Sequence, residues 1–381
     1  MKPKIYNFDL LCYPHVPLDA PGTPVPSTYF DPSLGAANYQ EHLREMEYCE
    51  DLGFDGVVFN EHHYSAYGTM PSPNLIAAAL SRTTKRVKIG VLGNILPLRN
   101  HPVRVAEEYA MIDCLSGGRL IAGFVRGIPA EYLWYNVNPE ESRGRFEEAY
   151  ELIMKAWTEP VWSYHGQFFS LENCAVWPRP VQQPHPTIWV AARSAESVEW
   201  CARRKLPIAQ VYQTTDQIED TFNYYRQVSK ENGWEATAEQ FILCRHIYVN
   251  ESITEVRPLL EPTLRYFFKL HDRGFNQGML GAPPLQQVKA ALNTERSFNY
   301  FREGNRERIN FSQLTWEELE ETGYLVAGNP DVVARKLNQQ MKQISAGHFM
   351  GIFHIGNLSH EKVITSLKLF AEEVAPQLGA V

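Results

Sequence analysis

Glu61, His62 and His63 follow directly on the apolar run Asp55-Gly56-Val57-Val58-Phe59 and Asn60, so a carboxylate and two imidazoles stand at the exit of a strand. Imidazole is the side chain best placed to hold or move a proton near neutral pH. Adjacent histidines do not chelate one ion as an i, i+4 pair on a helix does, and no metal is expected here. A second group is cationic. Arg126 lies between glycines in Gly123-Phe124-Val125-Arg126-Gly127, Ser142-Arg143 opens a helical pattern seventeen residues later, and Ala191-Ala192-Arg193-Ser194-Ala195 puts Ser194 at a helix N-cap. Guanidinium forks and the free N–H groups of a helix start both donate toward an anion. Arg126, Arg143, Arg193 and Ser194 therefore read as a site for a dianionic phosphate. A Gly-rich dinucleotide fingerprint is absent, which argues against a nicotinamide cofactor on a Rossmann half.

These groups need elements to position them. Short runs that are apolar on both faces recur at 4–11, 55–60, 87–93, 119–125, 187–192, 207–212, 241–249 and 347–355. Amphipathic helical patterns follow near 38–52, 72–84, 102–115, 140–158, 194–204, 216–232, 252–271 and 359–374. Strands covered on both faces and alternating with helices predict an α/β chain, a single (β/α)8 TIM barrel over 1–381 with insertions. Catalytic groups of such barrels sit where the strands end, and both groups above fall there.

Three stretches exceed the minimal barrel. The proline-rich 13–37 is expected to be a loop over the top face, and 161–186 an insertion shaped as a hairpin or irregular excursion around Gly166. The segment 273–328, with Gly274, Gly278, Gly281 and Pro283-Pro284, is long enough to be a lid. Phe8, Phe59, Tyr64, Tyr67, Tyr132, Trp134 and Tyr212 lie at or just beyond strand ends and are the expected walls of the substrate pocket.

Composition removes other classes. Hydrophobic residues make up 44% of 381, and the net charge of −8 is spread without a basic stripe, so nucleic acid is not an expected partner. No stretch approaches the roughly 18 uninterrupted apolar residues of a membrane span, and the N-terminus has no apolar signal core. The expectation is a soluble, cytoplasmic protein. Six cysteines stand singly, without metal-ligand spacing, as reduced structural thiols do.

Read in order, Glu61-His62-His63-Tyr64, Asn74 to Ala79, Leu96-Pro97, His101-Pro102, Ala106-Glu107, Asp113, Ser116-Gly117-Gly118-Arg119, Gly123 to Gly127, Ser142-Arg143 and Ser194-Ala195 through Glu199-Trp200 form a specific set. The set resembles the flavin-dependent luciferase-like monooxygenases, close to the bacterial luciferase alpha-type pattern, over about 40–212 and again over 324–376. The resemblance implies a barrel that takes reduced flavin mononucleotide (FMN) as a diffusible substrate from a separate flavin reductase. Oxygen adds at flavin C4a, and the resulting peroxide oxidises an organic substrate, by hydroxylation or by Baeyer–Villiger-type insertion.

On that resemblance His62 is the active-site histidine, His63 its neighbour, and Arg126, Arg143 and Ser194 hold the flavin phosphate. A non-prolyl cis peptide supporting the flavin ring is implied in the Ala77-Ala78 region, and a homodimer through the outer helices around strands two and three. Two departures stand out. Val125 occupies the place of the luciferases' reactive cysteine, and Arg193 that of a glutamate. The aromatic loading suggests a bulky, largely apolar substrate. Two other readings stay open: a deazaflavin-dependent reductase or dehydrogenase of the same fold, and a noncatalytic flavin-binding subunit like luciferase beta.

Overall fold

The computed structural model describes residues 2–20, 25–273 and 309–379. Its strands in chain order are β1 (Lys4–Asp9), β2 (Gly56–Phe59), β3 (Lys88–Ile95), β4 (Leu120–Val125), β5 (Trp162–His165), β6 (Ser170–Cys174), β7 (Thr187–Ala191), β8 (Ile208–Gln210), β9 (Phe241–Val249), β10 (Leu325–Gly328) and β11 (His348–Ile352). Eight of them, β1-β2-β3-β4-β7-β8-β9-β11, pair in parallel and close as a barrel. Ile208 stands opposite Phe241 at one seam and Lys4 opposite His348 at the other. All eight strands expected from the sequence are these barrel strands. Their residues are apolar on both faces because the interior and a ring of helices cover both: Val57, Val58 and Phe59 are each 0% exposed.

The helices are α1 (Pro32–Asp51), α2 (Pro73–Thr83), α3 (Val103–Ser116), α4 (Pro129–Trp134), α5 (Ser142–Thr158), α6 (Ala195–Arg203), α7 (Thr215–Glu231), α8 (Ile253–Asp272), α9 (Trp316–Glu321), α10 (Pro330–Ile344) and α11 (His360–Leu369). Their ends are written locally. Asp31 accepts from the N–H groups of Ser33 and Leu34 to start α1, Thr214 and Gln217 form a reciprocal capping box on α7, and left-handed Gly117 stops α3.

Three expectations need adjusting. Helix α1 begins at Pro32, inside the loop expected over 13–37, because proline at a first helical position is pre-set for the helix. Of the lid expected over 273–328, residues 309–328 are ordered barrel material: a 3-10 turn (Phe311–Gln313), α9 and β10. The remainder, 274–308, lies outside the described residues. Strand β10 runs beside β9 beyond the end of β8, with Leu325 opposite His246. Helix α10 was not among the expected helices, although Asn329 caps it and Val333, Leu337, Met341 and Ile344 give it one apolar face. The 161–186 insertion does form a hairpin, β5 against β6. Among the described residues no helix is long and apolar enough to cross a membrane.

On β3 and β4 the backbones nearly touch. A Cβ on Gly123 would lie 1.9 Å from the Val91 carbonyl oxygen, and one on Gly93 2.4 Å from the carbonyl carbon of Gly123. Only glycine fits at either position.

Candidate active site at the top of the barrel

The chain leaves β2 in extended form, so neighbouring side chains diverge and the two histidines meet different partners. His62 presents Nδ1 to Glu131 Oε1 at 3.1 Å, and Glu131, 0% exposed on α4, accepts the Ile128 N–H on its other oxygen at 3.0 Å. His63 has both ring nitrogens engaged, Nε2 with Glu61 Oε1 at 2.8 Å and Nδ1 with the Tyr135 hydroxyl at 2.8 Å. Glu61 in turn accepts from Arg99 Nη2 at 2.5 Å and from the Ile95 N–H at 3.3 Å. His63 is thereby held at both nitrogens as part of the wall, and His62 pairs with Glu131 beside the Tyr67 ring.

Those rings are Tyr67, 5.0 Å from His62 centroid to centroid, and beyond it Tyr212, Phe267 and His271. The Tyr67 and Tyr212 hydroxyls share a hydrogen bond of 2.7 Å, and burial pushes both phenols upward, so they keep their protons through the neutral range. His271 is pulled down, first by burial and then, against the pull of Asp272, by the nearby positive potential of His62 and Arg193. His246 on β9 packs on Tyr324, Phe267 and Tyr212. It is driven down to about 3 by burial, with His271 and Arg245 adding to the effect.

The cations assemble at the start of α6. Ser194 caps that helix, its hydroxyl accepting from the Ser197 N–H at 3.3 Å. Arg143 reaches over from α5 to the Ser197 hydroxyl at 3.2 Å and the Glu196 carbonyl at 3.1 Å. Arg126, just past β4, lies 4.0 Å from the Glu196 carboxylate. Arg143 Nε is 2.7 Å from Glu147 Oε1 and 3.6 Å from Glu196 Oε1. Two guanidiniums and the first turn of a helix make a donor set suited to phosphate. Arg193 does not join them; it turns to the Tyr212 carbonyl at 3.5 Å, on the aromatic side.

The other expected residues divide. Tyr64 is exposed and pairs with Trp134 at 5.3 Å over a shallow cleft that Ser65, Ala66, Leu270 and Arg273 also line. Phe8 and Phe59 are core, and Tyr132 is fully buried, its hydroxyl donating to the Arg126 carbonyl. Ala77 and Ala78 lie within α2, where a cis bond would break the helix. The non-prolyl cis peptide is Leu92–Gly93 on β3, in the stretch where the glycines let β3 and β4 meet. Beside it Asn94 donates to Asn74 at 2.9 Å and to the Tyr109 hydroxyl at 2.7 Å, and that hydroxyl donates to the Gly123 carbonyl at 2.7 Å.

Glu131, Arg99 and His271 were not foreseen. Glu131 sits on a helix of six residues, too short for periodicity to register, and only its distance from Arg126 along the chain hinted at a shared loop.

The family model for luciferase-like monooxygenases matches residues 20–347. The chain belongs to the luciferase-like monooxygenase family. The chain is similar to an uncharacterized protein, y4wF, of Sinorhizobium fredii, 28% identical over 92% of this chain and 94% of that protein. The alkanal monooxygenase alpha chain of Photobacterium leiognathi is 25% identical over 86% and 90%. The oxygenase component of the flavin-dependent trigonelline monooxygenase of Acinetobacter baylyi is 26% identical over 66% and 72%. Among solved structures, the monooxygenase RslO1 of Streptomyces bottropensis superposes over the full length of both chains with a TM-score of 0.74 at 24% identity. The oxygenating constituent of 3,6-diketocamphane monooxygenase of Pseudomonas putida, in complex with FMN, does so with 0.75 at 15%, over 100% of this chain and 99% of its own. An F420-dependent secondary alcohol dehydrogenase gives 0.69 at 14%, over the full length of both chains. At these identities the structural matches speak for the barrel alone.

Proposed function

We propose that this chain is the oxygenase component of a two-component system. It takes reduced FMN from a separate flavin reductase and uses O2 to oxidise a bulky, largely apolar organic substrate in the cytoplasm. The observation that carries the reading is the gathering of Arg126, Arg143 and Ser194 at the start of α6, joined through the 126–134 segment to the Glu131–His62 pair. Bound reduced flavin supplies the electrons that turn O2 into an oxygen-transfer reagent. The protein supplies the rest. Arg126, Arg143 and the α6 N-terminus bind and orient the phosphate. Glu131 fixes the His62 tautomer so that its other nitrogen holds or moves a proton at the reacting oxygen. Tyr67, Tyr212 and Phe267 exclude water, which protects reactive oxygen from hydrolysis.

Association belongs to the same proposal. Leu75 on α2 and Met111 and Leu115 on α3 are at least half exposed, and α2 packs on α3, so the pair offers an apolar face for a second copy.

The test is rapid mixing of the protein with anaerobically reduced FMN and then with oxygenated buffer, followed by absorbance. The proposal expects flavin reoxidation to be held back through a distinct absorbing species, shortened in His62→Ala and weakened through lost flavin affinity in Arg126→Ala. Reoxidation as fast as that of free flavin, together with hydride transfer from a reduced deazaflavin, would replace it with the deazaflavin reading.

A further inference from the structure

Five titratable groups meet where the first and last β/α units of the barrel join. Asp9 ends β1, His42 and Glu45 are one turn apart on α1, His354 follows β11, and His360 opens α11. Asp9, His42 and Glu45 are each at most 1% exposed, and His354 is 6%. His42 Nδ1 meets both Asp9 oxygens at 2.8 Å, His354 Nδ1 meets Glu45 Oε2 at 2.8 Å, and His360 Nδ1 meets Glu45 Oε1 at 2.7 Å. His42 Nε2 is buried with no hydrogen-bond partner. Nothing in the monooxygenase reading uses this cluster.

We propose that His42, Glu45 and His354 form a binding site for one divalent transition-metal ion of the zinc class, a structural site that clips the first and last β/α units together. One ligand atom from each of the three lies within 4.8 Å of the others. A tetrahedral zinc site holds its ligand atoms roughly 3.3 Å apart, so closing on an ion draws these three atoms together. His42 already has the arrangement of a metal-bound histidine, one nitrogen on a carboxylate and the other left over. Imidazole and carboxylate together suit zinc, cobalt or nickel better than magnesium or calcium.

Charge points the same way. Asp9 and Glu45 together supply two negative charges, which one divalent ion neutralises with all three imidazoles uncharged. The His354 ring stacks 4.1 Å from that of His42. His360, 28% exposed, marks the way in. An ion here departs from the metal-free protein expected from the sequence.

The experiment uses the full chain stripped with chelator and titrated with Co2+ and then Zn2+, followed by visible absorbance, calorimetry and thermal unfolding. The expected result is one ion per chain, a cobalt d–d band displaced by zinc, and a raised melting temperature that chelator reverses. Asp9→Asn should weaken binding about 10- to 100-fold, and His42→Gln and His354→Gln should abolish it. Absence of saturable binding by the folded wild-type chain overturns the site without any variant. So does unchanged affinity in His42→Gln and His354→Gln chains whose circular dichroism is that of wild type.

Discussion

Two histidines adjacent in sequence have been given different work by the carboxylates behind them. Glu61 is tied to His63, Arg99 and a backbone N–H at once, so it holds a wall together; Glu131 meets one imidazole and one backbone N–H, so its effect passes through His62. Substitution separates them. Glu131→Gln keeps the shape but replaces the carboxylate acceptor at His62 Nδ1 with an amide that can present either end, and the expected loss is about 10- to 1000-fold in turnover with little change in stability. The loss should fall on turnover and leave flavin affinity alone, a split that a packing role would not give. Glu61→Ala leaves Arg99 and His63 without their anion and should destabilise the fold by about 3–5 kcal/mol, read as a lowered urea midpoint. Turnover lost equally in the two variants, with equal loss of stability, would return both pairs to the scaffold.

At the scale of elements, what could be read from the sequence depended on how local the instruction was. The eight barrel strands and the eight helices after them were legible because a two-sided apolar run and a 3.6-residue stripe are written in consecutive residues. Ser194 as a cap and Arg126 and Arg143 as its neighbours were legible for the same reason, since strand ends and helix starts of one barrel face share a rim. Helix α10 was missed although its stripe is clear, because the irregular stretch before it drew the reading toward a lid. The cis bond was misplaced because its setting is not local: Gly93 needs Gly123 across a strand pair, and neither glycine announces the other. That dependence gives a prediction for β3 and β4. Gly123→Ala would press a methyl to 1.9 Å from the Val91 oxygen, in a place where backbone must move. The variant should lose more than about 3 kcal/mol of stability and bind FMN poorly even where it folds, whereas Gly233→Ala, with open space around its Cβ position, should pay only for its positive φ of 78°.

At the scale of the whole molecule, the buried imidazoles set how the barrel responds to acid. His246 sits at about 3 in the folded chain and returns to the ordinary value near 6.5 when the chain unfolds. Above pH 6.5 neither state carries the proton and the group is silent. Below it the unfolded chain takes a proton that the folded chain refuses, so stability falls by about 1.4 kcal/mol per pH unit until the folded imidazole titrates as well. Between pH 6.5 and 5 that is a loss of about 2 kcal/mol from one residue, in a window where ordinary carboxylates have scarcely begun to titrate. His271 and His348, also held down by burial, add to the same slope. His246→Phe keeps a flat ring against Tyr324 and Phe267 and removes both the titration and the unpartnered Nε2. Denaturant unfolding of the two proteins at pH 7 and pH 5 should show the variant losing about 2 kcal/mol less than wild type over that interval, with equal or higher stability at pH 7. Parallel losses would mean that His246 is protonated in the folded barrel at pH 5, and that the ring of Tyr212, Phe267 and Tyr324 is wetter than its packing indicates.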